Sequence, residues 1–433
     1  MADAQDTRLP LTTRMDAPHS SLITGGPLAG GSSLIPTEGA PEALAAIRQE
    51  IDAIDRQLIA LLNRRAAASV EVARIKRATE GATYVPGREQ EVLRNVLQAN
   101  TGPLDEAHVR AIYAEILSAS RALQRPLRIG YLGPERTFTH RAAEAAAQAR
   151  FGSFVEYAAG RTVDEVFALV ERGLTDYGVV PVENSTEGSV GQTLDLFIDS
   201  PLKICAEIPL RITHHLVGRP AGSVAGGQGG RGALAPTSDF RLQTSDFLGA
   251  VRRVYSHPQA LAQCRRWLLA NLPHAETLES SSTAAAAQRA AEEAGVAAIG
   301  TEEAAERYGL AVLARSIQDQ AHNTTRFLLV GHAIAEPSGR DKTSLLFSVR
   351  DRVGALHDVL GVFARRGINL TRIESRPSRR QPWEYVFFVD FAGHPSDAPA
   401  AAALAELEGA CTMVKVLGAW PMEERVEDQP SEG

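Results

Sequence analysis

The apolar residues of this chain follow three different spacings in succession, and each spacing predicts a different fold class. Between residues 41 and 124 they recur every three or four positions, which predicts amphipathic helices. Between residues 127 and 335, short apolar runs alternate with Ala-rich helical stretches, as in α/β domains. Residues 343–422 follow the order strand, helix, strand, strand, helix, strand, which predicts an α+β domain. We therefore expect a multidomain protein with domains at 41–125, 126–335 and 343–422.

The remaining segments lack these spacings. Residues 1–40 are rich in Gly, Pro, Ser and Thr, which predicts a disordered tail, and residues 423–433 form an acidic tail. Residues 219–244 are a Gly-rich insertion in the α/β domain. The insertion formally matches a dinucleotide-binding fingerprint at 227–232, but no predicted strand precedes it and no helix follows it. We interpret the match as chance, which disfavours a fused nicotinamide-dependent dehydrogenase.

Charge, cysteine content and hydropathy indicate which partners and which cellular compartment to expect. The net charge is -7, from 45 basic and 52 acidic residues, and no basic run is interleaved with aromatics, so we expect no nucleic-acid binding. The three cysteines, Cys205, Cys264 and Cys411, are widely separated and predict neither a disulfide framework nor a metal site. No apolar run has membrane-spanning length, and the N-terminus lacks the apolar core of a signal peptide. These features predict a cytoplasmic protein without a membrane anchor.

The helical segment carries charges on its apolar face. Its first stripe consists of Leu44, Ile47, Ile51, Ile54, Leu58, Leu61 and Leu62. Continuing that stripe at about 100° per residue brings Arg65 and Lys76 onto it. Glu89 shares the apolar face of the next helix, and the third stripe continues through Ser120 and Gln124. Buried charges need partners, so either these polar groups satisfy one another or they surround an anionic ligand.

This segment resembles the all-helical chorismate mutases. The resemblance implies that Arg48 and Arg65 hold the two carboxylates of chorismate. It further implies that Lys76 and Gln124 stabilise the ether oxygen, Glu89 binds the ring hydroxyl, and Arg88 and Ser120 complete the pocket. In that family two chains share the long first helix, so Arg48 would come from a partner subunit. Val85 departs from relatives that carry an acid there. The rearrangement requires a folded conformer and charge stabilisation, without covalent catalysis or a metal.

Polar residues mark the start of the last strand of the α/β domain. Asn323-Thr324-Thr325-Arg326-Phe327 precedes a short apolar run, and α/β folds bind ligands at strand ends. A guanidinium suits a carboxylate, and a hydroxyl can donate or accept a hydrogen bond. Taken alone, the segment is also consistent with a strand edge that carries a surface arginine.

Four further segments, at residues 133–140, 180–190, 256–264 and 282–285, occur with this one in an order that resembles the prephenate dehydratases. The resemblance implies two α/β lobes around a cleft, as in periplasmic binding proteins. It makes Thr325 the donor to the leaving hydroxyl and gives Asn184, Ser256 and Gln263 polar contacts with substrate. Arg326 binds a carboxylate or organises the loop.

Further residues of the α/β domain are expected to be structural or to lie near the substrate. Phe327 and Glu183 are expected to be structural, and His257 is either a general acid or a structural histidine. Threonines near turns, Thr137, Thr139 and Thr283, are expected to contact substrate. Arg136 stands where the family usually has glycine. A positive φ there would cost about 1 kcal/mol or more, and an alternative is that Arg136 offers a cation to prephenate.

The C-terminal segment resembles ACT regulatory domains. The resemblance implies a phenylalanine site formed by Gly354, Ala355 and Leu356 together with Glu374, Ser375, Arg376 and Pro377. Gly354 permits a close approach near a helix N-terminus, where free N–H groups favour a carboxylate. His357 replaces a residue that is usually aliphatic. A domain used only for dimerisation is the alternative.

Taken together, the chain resembles the bifunctional chorismate mutase–prephenate dehydratases. The resemblance implies conversion of chorismate through prephenate to phenylpyruvate, inhibition by phenylalanine, no cofactor, and a homodimer or higher homo-oligomer. Two alternatives stay open. One is a non-catalytic sensor of amino acids or prephenate, and the other is an arogenate-using dehydratase with an inactive mutase segment.

Overall fold

The computed structural model describes residues 40–78, 86–219, 248–320, 322–378 and 384–422. The predicted N-terminal tail, the insertion and the acidic tail lie outside the described residues, apart from residues 40 and 219 at their edges. Val85 also lies outside them. The chain divides into two units, residues 1–63 and residues 64–433. No helix in the described parts is long and apolar enough to cross a membrane.

The N-terminal segment is helical, as its spacing predicts. It contains α1 (Ala40–Ala78), α2 (Pro86–Ala99) and α3 (Glu106–Gln124). Asp105 caps α3, because its carboxylate accepts a hydrogen bond from the backbone N–H of His108 at 2.8 Å. Within the first unit the apolar stripe of α1 faces solvent. The side chains of Leu44, Ile47, Ile51, Ile54, Leu58 and Leu61 are between 49% and 58% exposed.

The second segment alternates strands and helices. In chain order these are β1 (Leu127–Leu132), α4 (Phe138–Arg150), β2 (Val155–Gly160), α5 (Val163–Glu171), β3 (Tyr177–Asn184), β4 (Gly188–Ser189), α6 (Gly191–Asp199), β5 (Lys203–Arg211), β6 (His215–Gly218), β7 (Arg253–Ser256), α7 (Pro258–Gln263), α8 (Arg265–Asn271), β8 (Glu276–Glu279), α9 (Thr283–Glu292), β9 (Val296–Gly300), α10 (Glu302–Tyr308), β10 (Ala311–Ala314) and β11 (Thr324–Gly331).

These elements form two lobes. In the first, β2, β1, β3, β11 and β5 lie side by side, with β1 parallel to β2 and β3 and with β11 antiparallel to β3 and β5. In the second, the order is β10, β6, β9, β7, β8. The chain crosses between the lobes twice, through residues 212–214 and 315–323. The predicted two-lobed α/β architecture is confirmed.

The C-terminal segment has the predicted βαββαβ order. Its elements are β12 (Asp341–Ser348), α11 (Ala355–Arg365), β13 (Leu370–Pro377), β14 (Tyr385–Ala392), α12 (Ala398–Ala410) and β15 (Met413–Pro421), with strand order β13, β14, β12, β15. The α+β fold class is therefore confirmed.

The C-terminal sheet continues the sheet of the first lobe. Strand β15 pairs with β5 at Gly418 and Ile204, which makes one ten-stranded sheet among the described residues. Gly418 is required here, because a Cβ at this position would lie 2.1 Å from the carbonyl oxygen of Ile204. One apolar core joins the two parts, with Phe197 and Leu328 of the first lobe beside Phe388. The C-terminal and α/β segments therefore share a core and a sheet.

Candidate active sites

A cleft of about 350 Å³ lies between the two lobes of the α/β segment. Its walls include the predicted residues Thr137, Thr139, Asn184, His257, Gln263, Thr283, Thr325 and Phe327. This volume is in the range of small-molecule sites. Residues far apart in the sequence are brought together because both lobes point loops and strand ends into the same space.

Thr325 lies in the cleft beside Asn184, its partner in the register of β11 and β3. The Asn184 Nδ2 donates to Thr325 Oγ1 at 2.8 Å. The orientation of this amide is set because Asn184 Oδ1 accepts the backbone N–H of Thr186 at 3.0 Å. The Thr325 oxygen therefore acts as an acceptor within the protein, which leaves its proton for another group.

Gln263, at the end of α7, bridges the two lobes. Its Nε2 donates to Glu187 Oε1 at 2.9 Å and to Thr186 Oγ1 at 3.2 Å. Its Oε1 accepts from Asn323 Nδ2 at 2.9 Å. Gln263 therefore belongs to one hydrogen-bonded network with Asn184 and Thr325.

Two predicted substrate contacts lie elsewhere. Ser256 is fully buried and donates to the carbonyl of Ile299 at 2.8 Å, so it holds the second lobe together and does not line the cleft. Arg326 points to the opposite face of β11 from Thr325, because neighbouring side chains alternate along a strand. Neither side chain lines the cleft, so Ser256 does not occupy its expected place, and for Arg326 the alternative that it organises the surrounding structure fits better than carboxylate binding.

Arg326 instead forms an ionic cluster at the boundary with the C-terminal domain. Its guanidinium contacts Glu207 at 2.6 Å, Glu183 at 2.7 Å and Asp390 of β14 at 3.5 Å. Lys342 adds a second cation on Glu207 at 2.7 Å. Burial alone would raise the pKa of Glu207, but Arg326 and Lys342 outweigh it and hold that pKa below its ordinary value.

Of the further residues predicted for this domain, some line the cleft and others have structural partners. His257 caps α7 by accepting the backbone N–H of Gln259, and its side chain also lines the cleft. Glu183 pairs with Arg326, which agrees with a structural role, and Phe327 lies in the core while one edge lines the cleft. Arg136 has φ of +65°, so the strained conformation is present, and its guanidinium lies 4.0 Å from Glu144 and off the cleft wall.

Sequence reasoning missed His214 and the site role of Asn323. His214 lies between β5 and β6, is 3% exposed, and lines the cleft. Its Nε2 lies 2.8 Å from Gln263 Oε1. Burial lowers the pKa of His214, although the hydrogen bond to Gln263 opposes that shift. The sequence shows two adjacent histidines after an apolar strand. This pair matches no motif that would have identified His214 as a site residue.

The helical segment brings two predicted mutase residues into contact within residues 64–433. Arg65 donates to Ser120 Oγ, which itself donates to the carbonyl of Ile116. Lys76 and Gln124 are half-buried. Arg88 is exposed and pairs with Glu91 at 2.6 Å. Arg48 belongs to the first unit and is exposed there.

Arg121 is a further residue that the sequence did not reveal. It is 7% exposed, pairs with Glu89, and donates to the backbone carbonyl of Phe151. It therefore holds the carboxylate of Glu89 and also joins α3 to the segment after α4. A helical projection placed Glu89 on an inner face but carried no information about this long-range partner.

The predicted effector motif contacts the first lobe. Glu374 accepts a hydrogen bond from the Ser189 hydroxyl, and Arg376 Nε contacts Asp195 at 2.9 Å. The Arg376 guanidinium lies against Gly191, where a Cβ would be 2.7 Å from it. Ser375 and Pro377 are exposed along the same strand. Gly354 has φ of +79° and directly precedes α11, whose first two residues are Ala355 and Leu356, and His357 is exposed.

The fold and the cleft define a class of protein: a two-lobed α/β enzyme with an N-terminal helical segment and a C-terminal α+β domain. The matched families agree with this description. They are chorismate mutase type II at residues 47–125, prephenate dehydratase at 129–335, and the ACT domain at 343–409. The chain belongs to the family of bifunctional chorismate mutase/prephenate dehydratases.

Individual relatives support that membership. The chain is 42% identical over 385 residues to the bifunctional chorismate mutase/prephenate dehydratase of Stutzerimonas stutzeri, covering 88% of this chain and 98% of the relative. Among solved structures, it resembles a prephenate dehydratase in complex with L-Phe from Arthrobacter aurescens, with a TM-score of 0.58 and 34% identity over 70% of this chain and 92% of that one. It also resembles GqqA, described as a novel type of quorum quenching acylase, with a TM-score of 0.57 and 27% identity over 68% of this chain and 98% of that one.

Proposed function

We propose that this chain converts chorismate to prephenate in its helical segment and prephenate to phenylpyruvate in the interlobe cleft. The observation that carries the second activity is the Thr325 hydroxyl, whose oxygen accepts from Asn184 and whose proton is available to a bound molecule. Because one fold can host unrelated activities, the dehydratase assignment depends on this site and not on the fold alone.

In the dehydratase reaction, the bond between the ring and its carboxylate breaks and its electron pair enters the ring. The ring hydroxyl leaves and takes a proton, so carbon dioxide, water and phenylpyruvate are formed. Thr325 hydrogen-bonds to the departing oxygen, and the Asn184 amide fixes the direction of that bond. A threonine hydroxyl is a weak acid in water, so its orientation and the enclosed cleft supply the effect.

For the mutase reaction, Arg65 and Lys76 provide positive charge. We assign Lys76 and Gln124 to the ether oxygen, Arg65 to a substrate carboxylate, and Glu89 to the ring hydroxyl. Arg121 supports the Glu89 assignment, because its contact fixes where that carboxylate lies. Charge stabilisation by preoriented groups is sufficient for a rearrangement that transfers no proton.

We expect a homodimer or a higher homo-oligomer. The apolar stripe of α1 in the first unit is half exposed in the single chain, and contiguous exposed apolar surface of this kind marks an interaction site. A second copy of the chain would cover it and supply Arg48 to the mutase site. The unpaired cysteines suit a reducing compartment, so we place the protein in the cytoplasm.

We also propose that phenylalanine binds the C-terminal domain and inhibits the dehydratase. The Arthrobacter aurescens relative was crystallised with L-Phe. In this chain Glu374 and Arg376 contact Ser189 and Asp195, which follow Asn184 in the first lobe. An effector that binds differently to the two states of these contacts would shift the cleft between them.

The test is to incubate the purified chain with chorismate and follow prephenate and phenylpyruvate, with and without phenylalanine. We expect both steps, with the second suppressed by phenylalanine. Prephenate that accumulates without phenylpyruvate would reject the cleft assignment. Tight binding of prephenate without turnover would support a sensor. A higher kcat/KM with arogenate than with prephenate would reject prephenate as the preferred substrate.

A further inference from the structure

His214 lies where the two lobes are joined. The crossing segments 212–214 and 315–323 are hydrogen-bonded to each other at this residue. The His214 carbonyl accepts from the N–H of Ile317 at 2.8 Å, and its own N–H donates to Gln318 Oε1 at 3.1 Å. The backbone of His214 is therefore fixed where the two lobes are joined, while its buried ring lines the cleft.

The hydrogen bonds of Gln263 determine the tautomer of His214. The Gln263 Nε2 donates to a carboxylate oxygen of Glu187, so its Oε1 is the acceptor for both Asn323 and His214. The imidazole must then carry a proton on Nε2. Burial lowers the pKa of His214, which is consistent with a neutral ring that has one donor.

From Gln263 the network reaches the reacting group without a break. Asn323 donates to Gln263 at 2.9 Å and accepts from Asn184 at 2.9 Å. Asn184 donates with the same amide nitrogen to Thr325 Oγ1 at 2.8 Å. At one end of this network, the backbone N–H of Thr186 sets the orientation of the Asn184 amide. At the other end, His214 Nε2 donates to the Gln263 Oε1.

The Nδ1 atom of His214 makes no hydrogen bond within the described part of the chain that would favour a histidine at this position. His214 Nδ1 is buried and has no hydrogen-bond partner among the described residues. Leaving a polar atom in this state is unfavourable, so an apolar side chain would suit the fold better unless Nε2 has a task. The Nε2 atom has such a task, because it hydrogen-bonds to Gln263, the side chain that bridges the lobes.

We propose that His214 is a positioning residue of the dehydratase. Its Nε2–H holds the Gln263 amide across the cleft and, through Asn323 and Asn184, fixes the hydroxyl of Thr325. This inference rests on the proposed dehydratase function of the cleft. Phenylpyruvate formation by the unaltered chain tests that function separately, so the two can fail independently.

The experiment compares His214→Gln with His214→Asn in the full-length protein. The glutamine amide reaches the place of Nε2 and can donate to Gln263, whereas the shorter asparagine amide reaches only the place of Nδ1. We expect His214→Gln to keep a kcat within about threefold of wild type. We expect His214→Asn to lose about 100-fold in kcat with a smaller change in KM, as misplacement by about 1 Å can cause.

The matched control is His215→Gln, at the neighbouring position. His215 Nδ1 is satisfied by the N–H of Ser316 at 3.2 Å, and its ring does not line the cleft. This variant should leave dehydratase kcat unchanged. Circular dichroism and thermal unfolding of each sample report whether the α/β segment is folded. Equal kcat for His214→Asn and wild type would overturn the proposal, as would equal losses for the Gln and Asn variants.

Two further measurements keep the proposal falsifiable. Combining His214→Asn with Gln263→Ala should cost no more than Gln263→Ala alone, because both variants interrupt the same network, and additive losses would contradict this. Long-range ¹H–¹⁵N spectra of the wild-type imidazole should show a neutral ring protonated on Nε2 at pH 7. A ring protonated on Nδ1, or an imidazolium, would reject the mechanism even if the chain showed no turnover.

Discussion

The interlobe cleft and the helical segment contrast in the groups that they offer to a dianionic substrate. The described residues that line the cleft include hydroxyls, amides and histidines but neither arginine nor lysine. The sites assigned in the helical segment include Arg48, Arg65, Lys76 and Arg88. The difference follows from the chemistry. The rearrangement develops charge on the ether oxygen, which preoriented cations and hydrogen-bond donors stabilise, whereas a leaving hydroxyl needs a directed proton donor.

The two regions also differ in how complete they are within one chain. In the cleft, Asn184, Gln263 and Asn323 satisfy one another and orient Thr325. The first unit of the helical segment exposes its apolar stripe instead. A dehydratase site can therefore form within one chain, while the mutase is expected to require a second copy.

Thr325→Ala should have the largest effect, and it should affect the cleft without affecting the helical segment. We expect a loss of about 10²- to 10⁴-fold in dehydratase kcat, because the variant removes the donor to the departing oxygen. Mutase turnover should be unchanged. Thr325→Ser is the matched control, since it keeps the hydroxyl and should keep most of the activity. An alanine variant with full dehydratase activity would remove Thr325 from the chemistry.

Lys76→Ala should have the reverse effect. We expect mutase kcat to fall by about 10²- to 10³-fold, because charge on the ether oxygen would lose its cation. Dehydratase turnover of added prephenate should not change. Lys76→Arg retains the charge with a different geometry and should recover part of the loss. Mutase activity that survives in the alanine variant would contradict the assigned pocket.

Arg376→Ala should separate inhibition from catalysis. The variant removes contacts with Asp195 and Gly191, so we expect the phenylalanine concentration for half-inhibition to rise by about 5- to 150-fold. Uninhibited dehydratase turnover should remain. Arg365→Ala is a matched control, because its partner Glu406 lies within the C-terminal domain itself. Unchanged inhibition in Arg376→Ala would place the effector elsewhere.

Leu58→Asp should test the oligomer through the exposed stripe of α1. A buried, unpaired carboxylate in a subunit interface is unfavourable, so we expect dissociation by analytical ultracentrifugation together with loss of mutase turnover. Dehydratase turnover should persist, because its site is formed within one chain. Gln57→Asp, one residue earlier and outside the predicted stripe, is the control. An oligomer that is unchanged in Leu58→Asp would show that this stripe is not the interface.

Arg136→Gly should give the smallest effect. Removing the side chain from a residue with φ of +65° relieves about 1 kcal/mol of strain, partly offset by the greater freedom of glycine in the unfolded chain. The free energy of unfolding from urea titration should therefore rise by about 0.5 kcal/mol. Arg136→Ala removes the same side chain but keeps the strain, so equal values for the Gly and Ala variants would argue against a backbone cause.

Local patterns in the sequence were sufficient for the order and type of the elements. Periodic apolar residues predicted the helices, and alternating short runs predicted the two-lobed domain and the βαββαβ module. These inferences depend on residues that lie near one another in the chain, where backbone geometry limits the choices. The grouping of Thr325, Asn184 and Gln263 in one site was implied instead by the resemblance to the prephenate dehydratases.

The misplaced and missed residues share one physical cause. The sequence leaves Arg326 either as a carboxylate ligand or as a residue that organises the loop, and strand alternation turns it towards Glu183, Glu207 and Asp390. Ser256 was expected to contact substrate, but its hydroxyl donates to the backbone carbonyl of Ile299. A polar side chain binds whichever partner lies closest in space, and for these residues that partner is distant in sequence.

The sequence by itself determined the three fold classes and the identity of the groups that can donate, accept or carry charge, because those properties belong to residue types and local periodicity. Only the tertiary structure decided that the regulatory domain shares a sheet with the first lobe, that Arg326 faces away from the cleft, and that His214 meets Gln263. These outcomes depend on long-range pairing of strands and on close packing. Both are set by the whole chain, so no segment specifies them alone.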